Sequence, residues 1–349
     1  LETIPAICLS GLEQLEVVSG LLAALDAAAS DATKSDTAAH EWCTAFAGQL
    51  EAAAHAAQAL LSELEAVVED AEDYFQAMNF TFLYDPQRQV FHIGFNVESG
   101  RLDANHYDLL ASEARIASLV AISKNDVPLK HWLHMTRPLT EIGGMRVLLS
   151  WSGTMFEYLM PGLIVRSYPN TLLDESCRAA VKRQIAYGLE KKTPWGISES
   201  SFYYFDAAQT YQYQAFGAPG LGYKRGLEGD LVIAPYASVI ALAYAPRAVV
   251  QNIERVQKMN VRGVYGLYES VDFTTGRLAA GQEYAVVRTY MAHHQGMVML
   301  ALNNYLMGNP IIRRFHADPR IAAIELLLQE QVPLRSPIEH PQPKKVGGV

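Results

Sequence analysis

Three short stretches of the sequence each place one glutamate among aromatic and small residues. The glutamates, with the numbers of their stretches, are Glu157 in 151–161, Glu199 in 195–206 and Glu269 in 265–273. A carboxylate in such surroundings either has its pKa raised by desolvation or accepts hydrogen bonds from specific donors. Aromatic rings stack on sugar faces, and paired carboxylates protonate and attack glycosidic bonds, so this pattern predicts a sugar-cleaving cleft. The alternative interpretation is that each glutamate caps or ion-pairs a buried helix end.

The same stretches, together with residues 288–295, hold further side chains that could contact a sugar. The aromatic candidates are Trp151, Trp195, Tyr203, Tyr204 and Tyr268, and the polar candidates are Asp206, Arg288, His293 and Gln295. Asp206 and Arg288 could equally pair with structural partners. His293 and His294 are adjacent on a predicted helix, where neighbouring side chains point about 100° apart, so they are poor joint metal ligands. One of the two is expected to line the cleft while the other packs.

Two further segments carry chemical groups that also have an ordinary structural interpretation. Asp103, Asp108 and Glu113 could face the same cavity, although Glu113 followed by Arg115 is also a common helix-capping and pairing pattern. The glycines of residues 217–226 resemble a phosphate-binding loop. However, no strand precedes them and no Gly-Lys-Ser/Thr follows, so a flexible rim loop is the favoured interpretation.

Composition excludes several classes of protein. The chain has 349 residues, 50% of them apolar, which is enough for a large core. Its net charge of −9, without a cluster of Lys or Arg, argues against a nucleic-acid partner. Cys8, Cys43 and Cys177 are far apart and lack ligand spacing, so we expect neither a disulfide framework nor a metal site, and no cofactor is predicted. The sequence contains no apolar run of about 18 residues that could span a bilayer.

The sequence changes character near residue 79. Residues 12–78 are rich in Ala, Leu and Glu, with apolar residues at helical spacing, and the polar stretch 30–36 interrupts them. We therefore predict a lead-in domain at 1–78, formed by two long helices in an antiparallel hairpin. Residues 80–97 alternate around an Asp-Pro turn, which predicts a small β-hairpin.

Beyond residue 97 the pattern is mainly helical. The predicted helices are 107–123, 153–167, 172–191, 206–216, 233–243, 245–259 and 288–306. Long loops rich in Gly, Trp and Tyr separate them, and loops of that length in a compact domain are usually functional. Core helices with chemistry in alternate loops indicate an (α/α) toroid. The predicted fold class is therefore all-α, with a catalytic domain at 79–335 and a linker at 336–349.

Several strings of the sequence carry a resemblance to a known family. They are residues 80–96, 109–118, 149–161, 195–206 and 290–296. In these strings the chain resembles the middle, glycoamylase-like domain of cyclic β-1,2-glucan synthases. The resemblance implies an (α/α)6 barrel that acts on a β-1,2-glucan chain. It also implies a large protein at the cytoplasmic face of the bacterial inner membrane, with a flanking glycosyltransferase and a phosphorylase-like domain as partners in the same polypeptide.

The resemblance also implies roles for individual carboxylates. In related endo-β-1,2-glucanases, a Glu within a Trp-x-Gly-x-x-Glu string serves as the general acid, and here the similar string ends, one residue later, at Glu157. The second carboxylate of those glucanases is an Asp in a late loop, where this chain has Glu283. That difference leaves the second catalytic role open among Glu199, Glu269 and Glu283.

The predicted reaction is anomer-retaining transglycosylation. One carboxylate attacks the anomeric carbon of an internal β-1,2-linkage while the other protonates the departing oxygen, and the 2-hydroxyl at the chain's own non-reducing end then closes the ring. A cleft that holds the chain curved favours this hydroxyl over water, because oriented groups reach effective molarities of about 10⁵ M, against about 55 M for water. Two alternatives stay open, an inverting endo-β-1,2-glucanase and a glucan-binding scaffold without activity.

Overall fold

The computed structural model divides the chain into two compact units, Leu1–Asn79 and Phe80–Val349. It describes residues 34–333, 335 and 337–341, together with single helical positions at 17, 20, 23 and 24. Within these described residues, no helix is both long enough and apolar enough to cross a membrane. The boundary between the units lies one residue beyond the predicted start of the second domain.

The first unit contains one long helix, α1 (Lys34–Ala77). Its Ala-rich sequence has a high helix propensity. The ring of Trp42 stacks on that of Phe46 one turn later, with 5.2 Å between the ring centroids. Helix α1 confirms the second of the two predicted helices. The first lies outside the described residues apart from four helical positions, so the antiparallel hairpin stays a prediction.

The helices of the second unit are mostly short. They are α2 (Arg115–Ser123), α3 (Lys130–His134), α4 (Met155–Leu159), α5 (Leu172–Lys191), α6 (Pro235–Val239), α7 (Pro246–Gln257), α8 (Ala292–Met307), α9 (Pro310–Ala317) and α10 (Pro319–Ala322). The 3₁₀ turns are Thr81–Leu83, Met160–Leu163, Leu227–Gly229, Thr275–Arg277 and Glu325–Gln329. Helix α5 has the predicted bounds, because the Thr171 hydroxyl accepts the amide of Asp174 at its start and Lys192 ends it in the left-handed conformation.

The second unit also contains short antiparallel strands, so the predicted all-α fold class is wrong. They are β1 (Tyr84–Asp85), β2 (Val90–His92), β3 (Phe95–Asn96), β4 (Arg101–Leu102), β5 (His106–Tyr107), β6 (Leu139–Ile142), β7 (Met145–Leu148), β8 (Ser200–Phe205), β9 (Tyr211–Gln214), β10 (Val232–Ile233), β11 (Arg262–Gly263), β12 (Gly266–Leu267), β13 (Ser270–Asp272) and β14 (Ala285–Val287). The sheets are β1-β2-β5 and β10-β13-β14, with hairpins β3-β4, β6-β7, β8-β9 and β11-β12. Loops between helices fold back on themselves in this way because their backbone groups need hydrogen-bond partners. The hairpin predicted in 80–97 is confirmed by β1 and β2.

The predicted helix at 206–216 is wrong, because this segment forms the turn and second strand of the β8–β9 hairpin. The Asp206 carboxylate accepts the amides of Ala208 and Thr210, and Gln209 adopts a positive φ of 60°. Such side-chain bonds favour a turn over a helix. The alternation of Tyr and Gln at 211–214 has the period of a strand rather than that of a helix.

The core of the second unit is assembled from both kinds of element. Strand β7 lies against α5, and α6 lies against α8. Each of these elements, and α4, contributes buried apolar side chains to one cluster, among them Leu148, Tyr158, Leu172, Ala237 and Ala301. The helices and strands therefore form one scaffold, and the hairpins and loops that carry the polar groups described below emerge from it.

The end of the described chain returns to this scaffold. The amide of Leu172 donates to the carbonyl oxygen of Glu330 at 2.7 Å, and the Glu330 carboxylate pairs with Arg137 at 2.8 Å. Further on, Ile338 forms a parallel bridge with Leu139 at the start of β6. Part of the segment predicted to be a linker, 336–349, therefore packs against the domain.

Candidate active site

Glu157 lies at the start of α4, in a loop that its own carboxylate holds together. With Thr154 it forms a capping box, in which the Thr154 hydroxyl accepts the Glu157 amide at 3.0 Å and the Glu157 carboxylate accepts the Thr154 amide at 2.8 Å. The carboxylate also accepts the Ser152 amide and the Ser150 hydroxyl, each at 2.9 Å. Burial raises the pKa of Glu157, and the amides of Thr154 and Ser152 oppose that shift. Both carboxylate oxygens are therefore bound by donors of the same loop.

A second segment supports this loop at a distance that only glycine permits. The amide of the fully buried Ala218 donates to the carbonyl oxygen of Gly153 at 3.1 Å. A Cβ atom on Gly217 would lie 1.7 Å from the carbonyl oxygen of Ser152. Residues 217–226, interpreted from the sequence as a flexible rim loop, thus begin as a packed support for the loop of the buried glutamate.

A buried arginine connects α2 to the residues of α4. Nη1 of Arg115 donates to the carbonyl oxygens of Ser112 at 2.8 Å and Glu157 at 2.9 Å, and Nη2 donates to that of Tyr158 at 2.8 Å. Burial lowers the pKa of Arg115. Since these hydrogen bonds go to main-chain carbonyls, the ion pair that the sequence suggested between Glu113 and Arg115 does not occupy this guanidinium.

Glu113 and Glu199 are neighbouring carboxylates. Burial is the main cause that raises the pKa of Tyr107. The charge of Glu113, a hydrogen bond to the Glu113 carboxylate and the charge of Glu199 raise it further. Burial, together with the charges of Glu113 and Glu157, raises the pKa of Glu199 to about 7. With a pKa of about 7, Glu199 is present in both its protonated and its ionised form at neutral pH. Cleavage of a glycosidic bond requires one carboxyl group in each of these two forms.

A chain of hydrogen bonds leads from Glu199 to Glu269. The Tyr213 hydroxyl lies 3.3 Å from Oε2 of Glu199 and 3.4 Å from Nε2 of His294. On its other side, Nδ1 of His294 lies 2.8 Å from Oε1 of Glu269, and both side chains are buried. The ring of Tyr236 stacks on His294, with 3.7 Å between centroids. A hydroxyl has one hydrogen, so Tyr213 can donate to Glu199 or to His294, but not to both.

The strands set these distances. Glu199 comes directly before β8, and Tyr213 lies on β9, where it pairs with Ser201 across the hairpin. Glu269 directly precedes β13, a strand that lies against β8. His294 lies in the first turn of α8. Two loop glutamates that are 70 positions apart in sequence are therefore joined through one hairpin and one helix.

Comparison with known families agrees with a sugar-cleaving site. The glycoamylase family model, described as "putative glucoamylase", matches residues 105–319. This chain belongs to the glycoamylase family. The resemblance to a glycoamylase-like domain, drawn from the sequence, is thereby confirmed.

The glycoamylase domain also matches part of a much longer protein. It is 46% identical over 283 residues to the cyclic β-(1,2)-glucan synthase NdvB of Rhizobium meliloti (strain 1021). That match covers 81% of this chain and 10% of the relative, so the chain spans about a tenth of the relative's length.

Solved structures share the fold of the glycoamylase domain at low sequence identity. One is a protein of Bacteroides caccae ATCC 43185 described as a "putative glucoamylase", and another is the endo-β-1,2-glucanase of Chitinophaga pinensis with sophorotriose and glucose. Each is 15% identical with a TM-score of 0.57, over 76% of this chain and 65% of the other. At such identity the similarity concerns the fold alone.

Four residues predicted from the sequence, three to bind sugar and Glu283 as a catalytic carboxylate, are buried, bound by other groups or at the surface. Trp195 is 4% exposed in the core, where its amide and carbonyl bond to the Asn252 side chain, and so it offers no free ring face. The Asp206 carboxylate is occupied by the turn of the β8–β9 hairpin. Glu283 and Arg288 lie at the surface of the glycoamylase domain.

Other predicted residues lie close to members of the hydrogen-bond chain. Tyr268, Gln295 and Glu269 line a cavity of about 170 Å³. Exposed His293 has its ring centroid 6.4 Å from that of Tyr213, whereas its neighbour His294 is fully buried. The two histidines therefore differ in exposure, and the buried one, His294, joins the hydrogen-bond chain from Glu199 to Glu269.

The predicted aromatic residues differ in accessibility. Trp151, which follows the buried Ser150, is 45% exposed, and Tyr204 on β8 is 58% exposed. Tyr203, also on β8, lines a depression of about 440 Å³ together with Arg288. Among the aromatic residues predicted to contact sugar, Trp151 and Tyr204 are thus the most exposed.

The sequence analysis left several residues of the site out of its candidate set. They are Tyr107, Glu113, Tyr213, Tyr236 and His294. Glu113 was noted as a possible cavity residue, but its spacing to Arg115 also fitted an ordinary capping pattern. The burial of Arg115 decides between these two interpretations, and burial cannot be read from the sequence alone.

Proposed function

We propose that this glycoamylase domain cleaves β-1,2-glucan chains and joins their ends by anomer-retaining transglycosylation, which yields a cyclic product. The identity with a protein named cyclic β-(1,2)-glucan synthase supports the substrate. The observation that carries the chemistry is Glu199, whose pKa burial and the charges of Glu113 and Glu157 raise to about 7, so that it can supply a proton at neutral pH.

The proposal assigns the acid and the nucleophile to Glu113 and Glu199. The ionised member attacks the anomeric carbon of an internal linkage, and the protonated member gives its proton to the departing oxygen. A covalent glycosyl ester forms. The carboxylate that lost its proton then removes the proton of the 2-hydroxyl at the chain's non-reducing end, and this hydroxyl displaces the enzyme.

The other three candidates receive supporting roles in this proposal. Glu157 is the anchor of its loop, since four donors already engage its carboxylate. Glu269 is 2% exposed and bound to His294, so it positions the histidine rather than reaching substrate. Glu283 lies at the surface, in a loop that ends at β14. Glu113 replaces these residues as the partner of Glu199.

Exposed rings supply the glucan contacts. Trp151 follows Ser150 of the anchored loop, and its ring lies 6.0 Å from that of Tyr223. Tyr204 stacks on Phe202, with ring centroids 6.0 Å apart. A glucan held against such faces is curved on both sides of the carboxylate pair, which brings its non-reducing end back to the glycosyl ester.

The context of a longer synthase completes the proposal. Flanking glycosyltransferase and phosphorylase-like domains of the same polypeptide would supply and trim the linear β-1,2-glucan, at the cytoplasmic face of the inner membrane. The 10% coverage of the relative supports such neighbours.

Incubation of the protein with linear β-1,2-glucan tests the reaction. Transglycosylation adds no water, so each event is expected to give one cyclic glucan and one shorter linear chain that keeps the original reducing end, while the total number of reducing ends stays constant. Short linear products whose first-formed anomer is inverted would instead identify a hydrolysing endo-β-1,2-glucanase. Retention of glucan with no product would identify a binding scaffold.

Replacement of each carboxylate by glycine assigns the two roles. The Glu113→Gly and Glu199→Gly variants are offered an activated glucosyl substrate and azide. Azide rescue with an inverted product marks the nucleophile, and rescue with retention marks the acid/base residue. A rescue by azide of Glu269→Gly, with none for the other two, would overturn the assignment.

A further inference from the structure

The sheet β1-β2-β5 brings together three metal-binding side chains that are distant in sequence. Asp85 ends β1, His92 ends β2 and His106 begins β5. His92 and His106 are direct partners in the antiparallel register, so their side chains leave the same face of the sheet. One ligand atom from each of the three residues lies within 4.8 Å of the other two.

The main-chain hydrogen bond of His92 leaves its other ring nitrogen free to bind a ligand. Nδ1 of His92 lies 2.7 Å from the carbonyl oxygen of Asp103. A carbonyl only accepts, so Nδ1 carries the hydrogen and Nε2 carries the free lone pair. A main-chain carbonyl behind a histidine is the usual arrangement around a metal-binding imidazole, because it fixes both tautomer and ring orientation.

His106 provides a second, independent observation. Its Nε2 lies 3.0 Å from Oδ2 of Asp85, and its side chain is 5% exposed. Its Nδ1 is buried, and among the described residues no group hydrogen-bonds to it. Buried polar atoms are rarely left in this state, so the ring has a nitrogen whose partner is not supplied by the surrounding protein.

The carboxylate is also held in place before any ligand arrives. Oδ1 of Asp85 accepts the amides of Gln87 at 2.8 Å and Arg88 at 3.2 Å, which fixes the turn between β1 and β2. Oδ2 faces the histidine. The Asp85 side chain is 19% exposed, so the site is reachable from solvent.

We propose that Asp85, His92 and His106 bind one divalent transition-metal ion of the zinc class. Two imidazoles and one carboxylate suit zinc, cobalt or nickel, whereas calcium and magnesium require mainly oxygen ligands. The sequence predicted no metal site because the three ligands are spaced 7 and 14 positions apart, and only the strand register unites them. The next residue of β5 is Tyr107, which bonds to Glu113, so the ion braces a strand beside the carboxylate pair and takes no part in the chemistry. Binding of the ion does not depend on the proposed function.

Cobalt titration of the chelator-treated full chain tests the site. One equivalent of Co²⁺ is expected to bind with visible absorption bands, and Zn²⁺ is expected to displace it. His92→Gln should weaken binding at least about 10-fold, as loss of a ligand or of its orienting shell does. His134→Gln is the matched control, since His134 also bonds a main-chain carbonyl through Nδ1 but has no ligand neighbours in the cluster.

Thermal unfolding provides the second measurement. Zn²⁺ should raise the melting temperature of the wild type and of His134→Gln, but not that of His92→Gln, because an ion that binds only the folded state stabilises it. If His92→Gln does not fold, Asp85→Asn replaces it, since the amide oxygen still holds the turn. Absence of saturable binding to the wild type, or equal binding to wild type and the cluster variant, overturns the proposal.

Discussion

At the scale of single residues, Glu157 and Glu199 show how neighbours decide what a buried carboxylate does. Glu157 is surrounded by donors, so its charge is compensated within its own loop. Glu199 has one weak donor, the Tyr213 hydroxyl at 3.3 Å, and two negative neighbours. The first environment fixes a carboxyl group in place, whereas the second raises the pKa to about 7 and keeps a proton available.

Amide substitutions should separate these environments. Glu199→Gln and Glu113→Gln are expected to lower turnover on β-1,2-glucan by about 10²- to 10⁴-fold. Both should unfold at the same temperature as the wild type or a higher one, because a repulsive charge is removed.

Glu157→Gln should instead lose about 1–3 kcal/mol of stability, because its NH₂ group would face donors. Unfolding curves and initial rates measure both effects, and a stable, inactive Glu157→Gln would return the acid role to that residue.

Tyr213 allows a prediction of pH dependence. The pKa of Glu199 is about 7, so its proton is lost and turnover falls as pH rises through that value. The Tyr213 hydrogen bond lowers the pKa of Glu199, so Tyr213→Phe should move this alkaline limb to higher pH. Tyr223→Phe, whose hydroxyl bonds Glu339, is the control. Rate profiles from pH 5 to pH 9 measure the limb, and an unmoved limb in Tyr213→Phe would contradict the role of this hydroxyl.

The kind of reaction was easier to predict from the sequence than the residues that surround each catalytic carboxylate. Glutamates among aromatic residues identified Glu199 as a candidate without knowledge of the fold. Glu113 could not be chosen in the same way, because its neighbour Tyr107 and its distant neighbour Glu199 meet it only in the folded domain. Aromatic composition also misassigned Trp195, since a large ring serves a core as well as a binding surface.

At the scale of elements, the contact between residues 217–222 and the loop before α4 holds the Glu157 anchor in place. No side chain beyond hydrogen fits at Gly217, because the Ser152 carbonyl oxygen occupies that space. The close approach of Gly217 to Ser152 depends on how two backbone segments pack in the folded domain. The sequence pattern of either segment alone therefore does not predict it.

Gly217→Ala should displace the Ser150–Thr154 loop and cost at least about 2 kcal/mol, in the range of overpacked sites that force backbone shifts. Gly229→Ala is the matched control, since an added Cβ there would meet nothing within 4 Å. Denaturant unfolding measures the difference. Equal stability of the two variants would show that the loop gives way without cost.

Helix prediction succeeded where caps and periodicity agreed, as in α5, and failed where a turn lay within an apparently helical composition. Asp206 is the example, because its carboxylate binds two amides of its own turn and begins a strand pairing. The all-α prediction failed for the same reason. Each short hairpin contains only a few residues, so its sequence pattern is weak. Its strands form because a partner strand is available to pair with them.

At the scale of the whole molecule, the chain separates into Leu1–Asn79 and Phe80–Val349, and the residues of the candidate site all belong to the second unit. Removal of residues 1–79 should therefore leave turnover within about twofold of the full chain, because no group of the site is lost. Rates on linear β-1,2-glucan and far-ultraviolet circular dichroism check this. A folded but inactive second unit would show that the first unit contributes to catalysis.

The bridge between Ile338 and Leu139 has a consequence for solubility. It lies at the first residue of β6, on the side that β7 leaves open, and an uncovered strand edge is a template on which a second molecule can add its own strand. A chain that ended before Ile338 would expose this template while its carboxylates stayed in place. We therefore expect the segment around Ile338 to reduce edge-to-edge aggregation of the domain.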